Sequence, residues 1–167
     1  RVHRRQRQMC IRDRDDAVEH FQNRYADIGW LENSLYEGVL AELSSIKVQG
    51  FQLCITTSKH STYACKITKH FGVAVLMDYE FGSESDGTRA DKTSLIKYAI
   101  TLSNATTGKS IMVGDRPYDV VGVKNNGLPF VRVAYGYGGH QELEKAEATK
   151  IISKQTDLSN AIASVLG

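Results

Sequence analysis

The sequence predicts an α/β protein built on a doubly wound, Rossmann-like parallel sheet with flanking helices. Short apolar runs of strand length alternate along the chain with longer segments in which apolar residues recur at helical spacing. The connections between them are short and several carry glycine, as is typical of strands and helices that alternate in one parallel sheet. A chain of 167 residues, 41% of them hydrophobic, is long enough for one domain with a substantial core.

Each element follows from its local pattern. The spacing of Ala17, Phe21, Tyr25 and Ile28 is that of an amphipathic helix, and the same spacing recurs further along the chain. Helices are therefore predicted over residues 15–30, 36–49, 60–72, 91–102, 117–125 and 157–165. The apolar runs between them predict strands over residues 51–58, 73–81, 110–113 and 129–136.

A basic segment opens the sequence. Residues 1–14 hold six arginines against Asp13 alone, a balance of +5, and because the whole chain carries +2, the remainder carries −3. A basic arm is one way to contact nucleic acid, but nothing later in the chain continues a basic face. We therefore predict that residues 1–14 are foreign to the domain or disordered, and that nucleic acid is not a partner.

The apolar runs and the cysteines of the sequence indicate the cellular compartment of the protein. No apolar run approaches the length of a membrane span, and no secretory signal pattern is seen near residue 1. The three cysteines are an odd number and have neither CxxC nor metal-ligand spacing. These features predict a protein of a reduced, cytoplasmic compartment without a membrane partner.

Polar side chains suited to binding phosphate lie at three places in the predicted fold. Thr57 and Ser58 follow an apolar strand, Lys92 opens a helix, and Asp115 and Asp119 follow the SIMV strand. Ligands of doubly wound sheets bind at the carboxyl ends of strands, where hydroxyls, an ammonium and two carboxylates can hold a phosphate dianion with a hard cation. Taken singly, each residue could equally be a helix cap or a solvated side chain. The combination in this order favours a phosphate site.

This combination resembles the haloacid dehalogenase superfamily, in its phosphoglycolate phosphatase or 5′-nucleotidase branch. ITTSK (55–59) resembles the second motif of the family, and GDRPYD (114–119) resembles the fourth, GDxxxD. GSESDGTRADK (82–92), which ends in the lysine of the third motif, and RYADIGWLENSLYEGV (24–39) resemble segments of this branch. The resemblance covers roughly residues 17–166.

The resemblance implies a Mg²⁺-dependent phosphatase of small phosphorylated metabolites, with phosphoglycolate and nucleoside monophosphates as the leading candidates. Thr57, Ser58 and Lys92 would bind the phosphoryl group, and Thr57 and Lys92 would also be catalytic. Asp115 and Asp119 would hold Mg²⁺ directly or through water. In the family an aspartate attacks phosphorus, and water hydrolyses the resulting aspartyl-phosphate. No oligomeric state is predicted.

The nucleophilic aspartate of that mechanism is missing from the sequence. The family carries it in a DxDGT motif on a central first strand. DRDDA (13–17) has the DxD spacing but no strand before it, and ESDGT (84–88) has glutamate in the place of the nucleophile. Both are interpreted as chance matches, so this chain is predicted to be an inactive fragment.

The missing motif has structural consequences. The central first strand would lie between the strands that bear Thr57 and Asp115, and its absence predicts a gap in the sheet with an unpaired edge on each side. Residues 15–35 are predicted to be a remnant of a small helical cap, and residues 36–167 the α/β core without its first strand. A second hypothesis stays open, in which the chain is a non-catalytic domain of this family that binds phosphate or a protein partner.

Overall fold

The structure is a computed structural model, and it describes residues 16–137 and 148–166. The chain divides into two compact units, with the boundary between Ser34 and Leu35. The prediction made for residues 1–14 lies outside the described residues. No helix in the described parts of the chain has the length and apolar character needed to cross a membrane.

In its described residues, 16–34, the first unit contains one helix, α1 (16–27), and a 3-10 turn, Gly29–Leu31. Arg24 donates to both carboxylate oxygens of Glu32, at 2.6 and 2.5 Å, and so links the helix to the segment after the turn. The Phe21 and Tyr25 rings stack one turn apart, with centroids separated by 5.7 Å. The predicted N-terminal helix is therefore confirmed, whereas its origin as a cap remnant stays a prediction.

The second unit alternates strands and helices along the chain. Its elements, in order, are α2 (Val39–Val48), β1 (Cys54–His60), α3 (Ser61–His70), β2 (Tyr79–Ser83), α4 (Lys92–Leu102), β3 (Met112–Gly114), α5 (Pro117–Asn126), β4 (Phe130–Val133), β5 (Lys150–Ile152) and α6 (Leu158–Leu166). All of the strand pairs among the described residues are parallel. The predicted class, an α/β fold with parallel strands and flanking helices, is confirmed.

The strands form two sheets rather than one. β1 pairs with β2, and β3, β4 and β5 form a second sheet in that order. In the described parts of the chain no ladder joins β1 to β3, which is where the sequence predicts a gap. Side chains meet across this gap, since Thr56 Oγ1 lies 3.7 Å from Met112 Sδ. Helix α4 packs against β1 and β2 of one sheet and against α5, which follows β3 of the other.

The core is centred on β4. Its neighbouring residues Phe130 and Val131 are 1% and 0% exposed and point to opposite faces, as successive strand residues do. Phe130 packs in one apolar cluster with Ile96 of α4 and Val123 of α5. Val131 packs in another with residues of α2, β5 and α6. A strand buried on both faces is the usual centre of a parallel sheet.

Three element predictions need correction. The strand predicted over 73–81 is wrong in its first half, because Ala74–Leu76 is a 3-10 turn and the strand begins at Tyr79. The helix predicted from residue 36 begins at Val39, since Gly38 before it has a φ of 78° that a helix cannot continue. Strand β5 was not predicted, because its three residues are too few to show a period.

Candidate functional site

Lys92 lies at the centre of the predicted site. It is the first residue of α4, and the preceding Asp91 caps the helix by accepting from Ser94 N at 2.9 Å. The Lys92 Nζ donates to the Thr56 carbonyl at 2.8 Å and lies 3.0 Å from Asp119 Oδ1. The Lys92 and Asp119 side chains are 11% and 9% exposed, so this ion pair is largely shielded from water. One ammonium therefore bridges β1 and α5.

The close approach of α4 and α5 positions that lysine. Gly122 of α5 makes the approach possible, because a Cβ there would lie 3.0 Å from Lys92 Cγ and 2.8 Å from Ile96 Cδ1. Asn126 Nδ2 donates to the Thr93 carbonyl at 3.1 Å and holds the first turn of α4 against α5. Sequence reasoning missed both residues, although a glycine inside a helical pattern is a known signal of close packing.

Asp119 is held from three directions. Its Oδ2 accepts from the backbone N–H of Arg116 at 3.2 Å, which also caps the start of α5. The chain at Gly114 runs against this carboxylate, since a Cβ there would lie 2.8 Å from Asp119 Cγ. With Lys92 on its other oxygen, Asp119 is fixed in a single orientation.

Asp115 lies on the more open side of the site. Its Oδ2 accepts from the backbone N–H of Tyr137 at 2.7 Å and lies 3.7 Å from Arg116 Nε. Gly136 lets the chain pass the carboxylate, because a Cβ there would lie 2.6 Å from Asp115 Cγ. No local pattern predicts this contact, because Asp115 and Tyr137 are far apart along the chain.

Thr57 and Ser58 lie within β1 rather than after it. Thr57 is half-buried and its Oγ1 accepts from Lys59 N at 3.2 Å, whereas Ser58 is exposed. The pairing of β1 with β2 becomes irregular between Thr56 and His60, so both residues lie in the distorted end of the strand. Among the described residues, no hydrogen bond joins either hydroxyl to Lys92, Asp115 or Asp119. The structure thus brings Lys92 and Asp119 into contact and leaves the two hydroxyls on the neighbouring strand.

The two carboxylates are the type of ligand that a hard cation prefers, but they are too few to fill its coordination shell. Asp115 Oδ1 has no hydrogen bond among the described residues, and carboxylate oxygen is the ligand that Mg²⁺ prefers. Asp119 is already engaged by Lys92 and Arg116. No group of three or more His, Cys, Asp or Glu side chains that could hold a metal occurs in the described ranges. These residues could supply one or two of the oxygen ligands, which is the share that protein side chains usually give to Mg²⁺.

Of the two DxD-like segments, the structure describes the one at residues 84–88. Asp13 and Asp15 lie outside the described residues. Asp86 is in a turn, where its carboxylate accepts from Thr88 N at 2.8 Å, and the Thr88 hydrogen bonds hold the pKa of Asp86 below its ordinary value. The adjacent Ser85 hydroxyl contacts His60 Nε2 at 2.6 Å, which fastens this turn to the end of β1.

Comparison with known proteins identifies relatives of the chain. A 5′-nucleotidase of Pseudomonas aeruginosa is 32% identical over 134 residues, which is 80% of this chain and 61% of that protein. The tyrosine-protein kinase PtkA of Mycobacterium tuberculosis is 30% identical over 85% of this chain and 49% of its own length. The chain thus spans about half to three fifths of the curated relatives that it matches.

A solved structure is similar over most of the fold. The crystal structure of a predicted phosphatase from Clostridium acetobutylicum superposes with a TM-score of 0.84 and 36% identity. The match covers 89% of this chain and 68% of that one. The family model of the haloacid dehalogenase-like hydrolases matches residues 3–133. This match, which covers more than half of the chain, shows that the chain belongs to the haloacid dehalogenase-like hydrolase family.

Proposed function

We propose that this chain is part of a Mg²⁺-dependent phosphatase of small phosphate monoesters that works through an aspartyl-phosphate. The observation that carries the proposal is the position of the Lys92 ammonium, 3.0 Å from Asp119 Oδ1 and 2.8 Å from the carbonyl next to Thr57. This position of the ammonium, between β1 and α5, supports a role for Lys92 in binding the phosphoryl group. The name of the Pseudomonas relative supports nucleoside monophosphates as substrates, and phosphoglycolate is the other candidate.

Each side chain has a defined role in this proposal. Lys92 has three N–H donors and spends two on Thr56 and Asp119, which leaves one for a phosphoryl oxygen. The Thr57 oxygen accepts from Lys59, so its O–H remains able to donate to a second phosphoryl oxygen. Asp115 and Asp119 would hold Mg²⁺, which when bound offsets negative charge on the phosphoryl oxygens.

The nucleophile is proposed to lie outside this sequence, because neither DxD-like segment has the DxDGT pattern. In the proposed reaction, a carboxylate oxygen forms a bond to phosphorus while the bond from phosphorus to the ester oxygen breaks. A second carboxyl group protonates the departing alkoxide, and water then attacks phosphorus to release phosphate and restore the carboxylate. A strand that bears both groups is proposed to lie between β1 and β3, which no ladder joins in the described parts of the chain. The chain alone is therefore proposed to be inactive.

We also propose that the protein works in the reduced setting of the cytoplasm, which the free thiols of Cys54 and Cys65 support.

The test is phosphate release from AMP, 2-phosphoglycolate and an aryl phosphate, with and without Mg²⁺. The chain alone is expected to release none, and the product of the whole reading frame, upstream sequence included, is expected to turn over. In that product, Asp115→Asn should lower kcat/KM by about a hundredfold or more. The exposed Asp157 lies in a turn before α6, so Asp157→Asn is the matched control and should change little.

Two results would contradict the proposal. Full turnover in Asp115→Asn would remove this carboxylate from the metal site. Magnesium-dependent turnover by the chain alone would mean that another residue attacks phosphorus. An upstream sequence without a DxDGT motif would instead favour the second hypothesis, a non-catalytic domain that binds phosphate or a protein partner.

A further inference from the structure

A group of aromatic rings lies beside Asp115 and takes no part in the proposed chemistry. We define this aromatic cluster as Tyr36, Tyr135 and Tyr137. The Tyr36 and Tyr135 rings meet edge to face, with centroids 5.2 Å apart. The Arg116 guanidinium lies 5.9 Å from the centre of the Tyr137 ring. Tyr137 and Arg116 thus adjoin a carboxylate of the proposed metal site.

Tyr137 is fixed in place although its ring is in water. Its backbone N–H donates to Asp115 Oδ2 at 2.7 Å, and the preceding Gly136 is packed against the same side chain. The residue is nevertheless 83% exposed. A large aromatic ring left in solvent forgoes the stabilisation that burial would give. The ring is therefore accessible to a ligand that binds beside Asp115.

The cluster presents neutral ring faces and one positive charge. Partial burial raises the pKa of the Tyr36 phenol, and the nearby Tyr137 and Asp115 raise it further. Burial also raises the pKa of Tyr135, with a further contribution from Tyr36. Both phenols therefore stay protonated at neutral pH. Neutral aromatic faces beside a guanidinium are the surface on which flat heteroaromatic rings stack.

We propose that Tyr137, with Tyr36 and Arg116, forms a stacking site for a nucleobase, so that the substrate class is nucleoside monophosphates rather than phosphoglycolate. The proposal rests on the proposed phosphatase function for the other end of the ligand. The phosphate would lie near Lys92 and Asp115, and the base would lie over the Tyr137 ring at the outer side of Asp115. Phosphoglycolate has no ring, so it would leave the cluster unused.

The test measures binding to the chain as it exists, by NMR titration in the presence of Mg²⁺. The probes are AMP, ribose 5-phosphate, which keeps the sugar and phosphate without the base, and adenosine, which keeps the base without the phosphate. AMP is expected to bind about tenfold more tightly than ribose 5-phosphate. Tyr137→Ala should abolish that advantage and Tyr137→Phe should retain it. Both substitutions keep the backbone N–H that anchors Asp115.

Tyr118 offers a matched control. It is 74% exposed and lies in the first turn of α5, outside the cluster, so Tyr118→Ala should leave AMP binding unchanged. Equal affinities for AMP and ribose 5-phosphate, or equal losses in Tyr118→Ala and Tyr137→Ala, would overturn the stacking site while leaving the phosphatase proposal intact. Adenosine binding that depends on Tyr137, without binding of ribose 5-phosphate, would support the stacking site and count against the phosphatase. If no probe binds, the stacking site is overturned, while the phosphatase proposal is decided by phosphate release from the product of the whole reading frame.

Discussion

At the residue scale, Gly114 shows how closely the site is packed. It ends β3, and the Asp119 side chain fills the space that a Cβ would need. We expect Gly114→Ala to lower the free energy of unfolding by about 1–3 kcal/mol, because the carboxylate would have to leave Lys92 or the strand would have to shift. Urea unfolding followed by circular dichroism measures the change.

Gly108 supplies the comparison for that variant. No heavy atom lies within 4 Å of the Cβ position at Gly108. Gly108→Ala should therefore change stability by no more than about 0.5 kcal/mol. Equal effects of the two substitutions would mean that the contact between Gly114 and Asp119 is looser than the structure indicates.

The candidate residues could be chosen from the sequence, but their partners could not. The sequence predicts Lys92 as a phosphate ligand and Asp119 as a magnesium ligand, and the structure places the two side chains 3.0 Å apart. The sequence predicts that Thr57 and Ser58 both bind phosphate, yet successive residues of a strand face opposite sides, and Thr57 is half-buried whereas Ser58 is exposed. The anchoring of Asp115 by Tyr137 joins positions whose separation in sequence no local pattern encodes.

At the element scale, Asp78 ties three segments together. Its carboxylate accepts from the Lys47 ammonium of α2 and, at 2.8 Å, from the backbone N–H of Leu53 just before β1. Asp78 itself directly precedes β2. The hydrogen bond from Lys47 and then that from Leu53 lower its pKa from the ordinary value of 3.8.

This shift makes part of the stability depend on pH. A carboxyl whose pKa is lower in the folded chain stabilises it above its unfolded pKa, and the benefit is lost as the pH falls through the lowered value. We expect Asp78→Asn to be less stable than wild type at pH 7, by less than about 1 kcal/mol because the pair is partly exposed. The difference should shrink below pH 4 and in 1 M salt. A difference that stays constant from pH 7 to pH 2 would rule out this titration.

Elements with a clear period were predicted and those fixed by distant contacts were not. The helix predicted over 91–102 agrees with α4 to within one residue, because its apolar residues recur on one face. The apolar run over residues 73–81 predicts a single strand. There the first part turns after Gly72, and the strand begins only beyond Asp78, which the distant Lys47 and Leu53 fix. The run itself carries no sign of that division.

At the scale of the whole molecule, protection from solvent should follow the sheet topology. β4 has a partner on each side and residues that are 0% and 1% exposed, whereas β1 has a ladder on one side only and an irregular register. In hydrogen exchange followed by mass spectrometry, peptides that contain Phe130–Val133 should stay protected longest, and those that contain Cys54–His60 should exchange earlier. Slower exchange in β1 than in β4 would contradict this assignment of the stable centre.

The gap between the two sheets also gives α4 a mechanical role. This helix packs against β1 and β2 on one side of the gap and against α5 on the other. If one sheet rotated slightly relative to the other, α4 would therefore lie close to the axis of that rotation. Lys92 is the first residue of α4, so its ammonium would move less than the Thr57 hydroxyl or the Asp115 carboxylate. In such a rotation the Lys92 ammonium would stay nearly stationary, while the distance between the Thr57 hydroxyl and the Asp115 carboxylate changes.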